Sequence, residues 1–270
     1  MNIVKKHVRM RSFYFKNMKW EKFSRLTEQP KIFSIPESIS RIAENKKSLC
    51  RFGDGEFLIM LGKSLDFQEH DSELQARLRR IIRSNVDGLA VGLPNYFGEI
   101  PTLQKKMLFV IRRFLVENRT SIHEMIDFKK NYYDTLLSQY YAFNPHDELM
   151  VEYFSSIRTL WENEHICLVR GRQSELERCY SIYDNAKSVV EYFAPSCNAF
   201  AEYKKILSEV SSCYRDRLII IALGPTATIL AHDLHLLGIR ALDLGHLDKS
   251  YDWFCRGKIV GETNEPFFPV

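Results

Sequence analysis

Residues 217–245 restrict the fold more than any other stretch. Arg217 is followed by the unbroken apolar run Leu-Ile-Ile-Ile-Ala-Leu, which ends at Gly224-Pro225. A short run of this kind reads as a strand buried on both faces, and such strands belong to parallel sheets covered by helices. Gly224-Pro225-Thr226-Ala227-Thr228 turns into a helix carrying Ile229, Leu230, Leu234, Leu236 and Leu237 as far as Gly238. Arg240-Ala-Leu-Asp-Leu-Gly245 is then a second strand. Strand, helix and strand in about 29 residues form a right-handed βαβ unit with a parallel pair.

The same alternation runs back along the chain. Helices are expected over 36–46, from 71 onward, and over 102–117, 147–161 and 199–210, with a short one at 57–61. Strands are expected at 49–52, 89–94, 166–169 and 188–193. Periodicity does not decide between strand and helix for the tyrosine-rich 132–141. The result is an α/β fold, a mostly parallel sheet flanked by helices. There is no internal repeat and no convincing linker. The expected organisation is an N-terminal arm, 1–35, and a single α/β domain, 36–270.

Charge separates the arm from the body. Residues 1–25 hold eight Lys/Arg and one acid, a charge of +7 in a chain of net +4, so the remainder is slightly acidic. That excludes a nucleic-acid-type basic domain, and no nucleic acid is expected as a partner. Phe13, Tyr14, Phe15, Met18, Trp20 and Phe23 interleave with the arm's cations, a pattern suited to an anionic membrane surface, to an ordinary mobile or docked arm, or, third, to RNA. No run of about 18 apolar residues or secretory signal is apparent. The six scattered cysteines include no Cys-x-x-Cys pair, and they read as reduced, largely buried thiols of a cytoplasmic protein. Arg77, Arg79, Arg80 and Arg83 read as a solvated helix face.

Four sequences fall where strands hand over to helices, the place where open α/β sheets bind ligands. Arg51-Phe-Gly53-Asp54-Gly55-Glu56 puts two carboxylates around a glycine, a hard-oxygen pair suited to Mn²⁺ or Mg²⁺, with Arg51 as a fixed positive charge beside it. Gly224-Pro225-Thr226 puts small residues and a hydroxyl at a helix start, which suits a phosphate. In Asp243-Leu-Gly-His246-Leu-Asp248, His246 can serve as a base or phosphate partner, and Asp248 can orient it or bind sugar hydroxyls. In Pro195-Ser-Cys-Asn198, Asn198 can read a base or ribose, or simply cap the next helix. Taken one at a time, each has an ordinary structural reading: a glycine turn, a helix cap, a loop histidine. Together they suit a sugar-nucleotide site.

From about Ser38 to Phe254 the chain resembles the GT-D-type glycosyltransferases, a family first described as a domain of unknown function. The resemblance rests on Arg51–Glu56, Pro195–Phe200, Leu223–Thr228, Asp243–Asp248 and Tyr251-Asp-Trp-Phe254. It implies a Rossmann-like GT-D-type fold in which the Asp-x-Glu motif, falling on Asp54 and Glu56, supports a metal ion and a nucleotide-sugar diphosphate. It further implies a metal-dependent transferase moving a hexose, glucose or a relative, from a UDP-sugar. The acceptor would be a glycan, glycoprotein or lipid-linked acceptor in bacterial surface-glycan assembly; the expected location is cytoplasmic, with the basic arm suited to peripheral contact at the inner face of the plasma membrane. Asp54, Glu56 and His246 are the expected catalytic residues. Arg51, Gly53, Asn198, Gly224, Pro225, Thr226 and Asp248 are the expected substrate-binding residues. Two positions depart from the family pattern, Arg170 where an acid is expected and Gln139 where an arginine is. The rival readings are a metal-dependent phosphoester hydrolase or nucleotidyl enzyme, and a non-catalytic scaffold.

Overall fold

A computed structural model describes residues 28–95, 97, 105–139, 149–172 and 180–256. Eight strands form one sheet: β1 (Lys31–Ile32), β2 (Ser48–Arg51), β3 (Leu89–Leu93), β4 (Asn131–Asp134), β5 (His165–Gly171), β6 (Ser188–Ala194), β7 (Leu218–Ala222) and β8 (Ala241–Asp243). Their spatial order is β1-β4-β3-β2-β8-β7-β5-β6, and every pairing is parallel. The helices are α1 (Ile35–Glu44), α2 (Asp54–Met60), α3 (Ser72–Ile81), α4 (Lys105–His123), α5 (Leu149–Arg158), α6 (Tyr203–Cys213), α7 (Pro225–Leu236) and α8 (Leu247–Cys255).

Side-chain alternation along the strands builds two cores. On β7, Ile219 and Ile221 join Phe57, Leu74, Leu115, Ile206 and Ile229, so α2, α3, α4, α6 and α7 cover one face. Leu218 and Ile220 join Ile39, Ile42, Tyr153, Ile157 and Leu247, so α1, α5 and α8 cover the other. The unbroken apolar run of 218–223 follows from this two-sided burial. The βαβ unit forms as expected, with β7 beside β8 and Ile220 opposite Leu242.

Several local expectations change. The body starts before residue 36: Lys31 and Ile32 pair with Asn131 and Tyr132 at the sheet edge. The basic residues of 1–25 lie outside the described residues. The ambiguous 132–141 stretch divides into β4 and a 3₁₀ turn, Thr135–Ser138, which Asp134 caps by accepting from the Leu136 N–H at 2.9 Å. The arginines of 77–83 are not a purely solvated face. Arg77 pairs with Asp233, while Arg79 donates to the Met60 carbonyl and Arg83 to the Met125 carbonyl. Cys50 and Cys167 are buried, whereas Cys197, Cys213 and Cys255 are exposed. No helix among the described residues is long and apolar enough to cross a membrane.

Asp134 is 3% exposed, and burial pushes its carboxyl up to about 7 against the hydrogen bonds from Leu136 and Asn95. Its folded pKa lies above the unfolded value, so its contribution to stability is complete below about pH 4 and is lost as the pH rises through about 7. Asp134→Asn keeps an acceptor for Leu136 and removes the titration. Urea unfolding at several pH values should show the variant gaining on the wild type between pH 4.5 and 7.5. Parallel curves would rule out Asp134 as the source.

Candidate active site

The order of the strands places a crevice between β2 and β8. The loop after β2 leads into α2 on one face of the sheet and the loop after β8 into α8 on the other, so the two loops diverge and leave room above the sheet. The strands themselves barely meet, with Leu49 opposite Leu242 as the single paired position. Side chains complete the joint. Arg51 at the end of β2 holds its Nε 3.6 Å from Oδ1 of Asp243 at the end of β8. The Thr228 hydroxyl lies 2.8 Å from the Arg51 carbonyl and 3.1 Å from Asp243 Oδ2, one proton facing two acceptors. Gly245 has φ +55°, and a Cβ there would overlap the Arg51 guanidinium, so the arginine lies across bare backbone. Arg51 is therefore a bridging residue and not an exposed strand end.

The Asp-Gly-Glu turn rises directly from this joint. Gly53 is the N-cap of α2, with φ −135° and ψ −166°. It has no side chain to cap with, and Glu56 supplies the reciprocal half of the box: its Oε2 accepts from the Gly53 N–H at 2.7 Å. Asp54 opens the helix. Gly55 faces Leu65 and Pro225, whose side-chain carbons lie 3.3 and 4.0 Å from where a Cβ would be. The glycine between the two acids thus leaves room for Leu65, with the start of α7 lying close by.

Three carboxylates share this region with Arg51. Burial raises the pKa of Asp54, with backbone hydrogen bonds and Arg51 opposing. Burial takes Glu56 to about 7, with Arg51 opposing and Asp243 adding. Asp243 is also raised by burial, against Arg51 and Thr228. One guanidinium does not balance three acids, and a hard divalent cation is the natural counter-charge. No cluster of three or more His, Cys, Asp or Glu suited to a metal occurs among the described residues. Asp54 and Glu56 are hard-oxygen donors that would leave positions on such an ion for substrate oxygens and water.

The remaining expected residues occupy different places. His246 is the N-cap residue of α8, and its carbonyl accepts from the Ser250 N–H at 3.1 Å. Its ring reaches solvent from within a wall of protein that lowers its pKa, Asp248 opposing and Arg51 and Lys249 adding. Asp248 is engaged by Arg170, with Nη1 3.4 Å from Oδ2, and the same guanidinium pairs with Glu191. The residue that departs from the family pattern is thus an ion-pair centre tying β5, β6 and α8 together. Asn198 stands in the left-handed region, φ +51°, and its side chain does not cap the helix after it. Its Oδ1 instead accepts from the Glu69 N–H at 2.7 Å, and its own N–H donates to the Phe67 carbonyl at 2.8 Å. Thr226 is fully buried, its hydroxyl 3.3 Å from Gln68 Oε1. Pro225 is buried and Gly224 half-buried at that helix start, with Gly224 at φ +53°.

Sequence reasoning missed the strap that links these parts. Leu65 and Gln68 close a tight turn, Leu65 N–H to the Gln68 carbonyl at 2.8 Å, and the strap lies over both helix starts. Its residues, Leu65-Asp-Phe-Gln68, have neither motif nor period. Asp243 and Thr228 stood within quoted motifs, but their pairing joins residues 15 apart across two elements.

Comparison with known proteins agrees with this architecture. The family model described as Glycosyltransferase GT-D fold matches residues 49–260. The chain is 31% identical over 242 residues to "Probable glycosyl transferase Gly" of Streptococcus gordonii, covering 85% of this chain and 34% of that protein. It is 29% identical over 233 residues to "Glycosyltransferase GlyD" of Streptococcus pneumoniae serotype 4, covering 83% of this chain and 27% of that one. It thus spans about a third of the length of the curated relatives it matches. Among solved structures, "A New Glycosyltransferase (DUF1792) from Streptococcus sanguinis" superposes with a TM-score of 0.80 at 32% identity, covering 85% of this chain and 86% of that one. "The highly conserved domain of unknown function 1792 has a distinct glycosyltransferase fold" gives 0.82 at 30% identity, covering 90% and 87%. With the family model matching most of its length and the same all-parallel sheet, the chain belongs to the GT-D glycosyltransferase fold family.

Proposed function

We propose that this chain transfers a hexose, glucose or a relative, from a UDP-sugar to a glycan, glycoprotein or lipid-linked acceptor in bacterial surface-glycan assembly. The observation that carries the reading is the nearness of the Asp54-Gly55-Glu56 turn to the start of α7, where Pro225 Cγ lies 4.0 Å from the place a Cβ on Gly55 would take. It brings a pair of hard carboxylates beside a helix N-terminus at the mouth of the β2–β8 seam, one element for a cation and one for phosphate.

Asp54 and Glu56 would hold Mn²⁺ or Mg²⁺. A bound divalent ion supplies charge neutralisation for the departing diphosphate. The protein contributes fixed groups that need no reorganisation as charge develops. The backbone N–H groups of Gly224 and Thr226, with none on Pro225 between them, and the α7 dipole would face one side of the diphosphate. Arg51, fixed by Asp243 across Gly245, adds a permanent positive charge whose position does not depend on substrate. His246 is kept toward its neutral form by its surroundings and reaches solvent, so its ring can accept a proton from an acceptor hydroxyl. Asp248 positions the start of α8 through Arg170.

Asp54→Asn and Glu56→Gln should each lower Mn²⁺-dependent UDP-sugar hydrolysis or transfer by roughly 10²–10³-fold while the fold is kept, as checked by circular dichroism. Full activity in both variants would contradict the assignment. Release of inorganic phosphate from a phosphoester without any sugar transfer would favour the hydrolase reading. In a thermal-shift titration, UDP with Mn²⁺ should raise Tm, and at a hundred times Kd the stabilisation is about 2.7 kcal/mol.

The +7 segment of residues 1–25 is proposed to hold the enzyme against anionic lipid, where a lipid-linked acceptor would be found. Co-sedimentation should require anionic vesicles and fade between low and high salt. Equal binding to neutral vesicles would contradict an electrostatic anchor.

A further inference from the structure

The strap over the two helix starts carries an aromatic residue with no role in the reading above. Phe67 keeps part of its surface in solvent, while an edge of its ring is spent on Gly224. A Cβ on Gly224 would stand 2.6 Å from Phe67 Cε2, and the φ of +53° independently favours glycine there. Two residues earlier, Leu65 makes the matching contact with Gly55. One short turn therefore touches both the carboxylate turn and the phosphate-type helix start, with Phe67 at the α7 end.

The ring is held in place before any ligand arrives. Leu65 and Gln68 close the turn around it, and the Phe67 carbonyl accepts from the Asn198 N–H at 2.8 Å. Asn198 Oδ1 takes the Glu69 N–H at 2.7 Å, and Gln68 Oε1 lies 3.3 Å from the Thr226 hydroxyl and 3.4 Å from the Phe200 N–H. The Asn198 oxygen, a candidate for reading the base, is spent on fixing the strap. Aromatic rings fixed in this way lose little entropy when a flat ligand stacks on them.

The two faces of the sheet separate the ends of the donor. α2, α7 and the strap lie on one face, whereas α8, which carries His246 at its start, packs on the other. In a nucleotide sugar the diphosphate lies between nucleoside and sugar, so the two leave it in different directions. We infer that Phe67 is the platform on which the donor's nucleobase stacks, with the sugar directed toward the α8 side. This rests on the donor proposed above. It assigns the strap 65–69 to nucleoside recognition and takes Asn198 out of direct base contact.

Calorimetric titration of UDP, UMP and pyrophosphate, each with MnCl₂, tests the assignment. Stacking of a base on an aromatic side chain predicts that Phe67→Leu and Phe67→Ala weaken UDP and UMP about tenfold or more. Phe67→Tyr should stay within about threefold of the wild type, and pyrophosphate should bind all four proteins alike. Phe67→Leu keeps an apolar contact for Gly224, so an unfolded alanine variant would leave the comparison intact. Equal UDP affinity in wild type and Phe67→Leu would overturn the inference while leaving the donor reading standing. An equal loss of pyrophosphate would also overturn it, by placing the ring's effect at the cradle. A wild-type protein that binds neither UDP nor pyrophosphate would overturn the donor reading and this inference together.

Discussion

The joint between β2 and β8 is the constraint on which the rest of the structure depends. Two four-stranded halves of the sheet meet there, yet β8 is three residues long and shares one paired position with β2. Backbone hydrogen bonding alone would make a weak seam. Side chains close it at both ends. At the amino end, Ser48 Oγ accepts from the Ala241 N–H at 3.1 Å. At the carboxyl end, Arg51, Asp243 and Thr228 form the tie. Removing one partner of such a buried pair typically costs about 3–5 kcal/mol, because the other charge is left uncompensated. The seam is therefore firm where the side chains meet and open just above them, which is the geometry a ligand crevice needs.

The acids at that crevice are arranged against their own comfort. Asp54, Glu56 and Asp243 all have carboxyl pKa values raised by burial, Glu56 to about 7. A fold selected only for stability would not gather them around one arginine. The glycines follow the same logic. Gly55 permits the approach of Leu65, Gly224 that of Phe67, and Gly245 that of the Arg51 side chain. Each close approach brings another part of the site to the seam. Stability and function are thus coupled at the same few residues, with Arg51 belonging to both.

Much of this was legible in the chain. The buried strand of 218–222, the helix after it and the neighbouring strand follow from apolar pattern alone, because both faces of the sheet are covered. The Asp-Gly-Glu turn stood out as two acids at the end of a strand. What stayed hidden depends on distant partners. β1 is two residues long, and only its neighbour β4 makes it a strand. α8 buries Leu247 and Trp253 with a mixed pattern that reads as a motif before it reads as a helix. The arginines of α3 looked solvated because Asp233 lies 156 positions beyond Arg77. There, burial raises Asp233, but hydrogen bonds from His232, Tyr203 and Arg77 outweigh it and hold it at about 2. Arg170 and Asp248 likewise meet across 78 positions. Local sequence carries the elements, and the third dimension decides which polar side chains are spent on each other and which remain for substrate.

The central claim is that the carboxylate turn at the β2–β8 seam holds a cation against a nucleotide diphosphate. A crystal structure with Mn²⁺ and UDP, phased to show the anomalous signal of manganese, tests it most directly. The account predicts a manganese peak between Asp54 and Glu56, with the diphosphate against the first turn of α7. A manganese peak elsewhere, or UDP bound away from Gly224–Thr226, would contradict it.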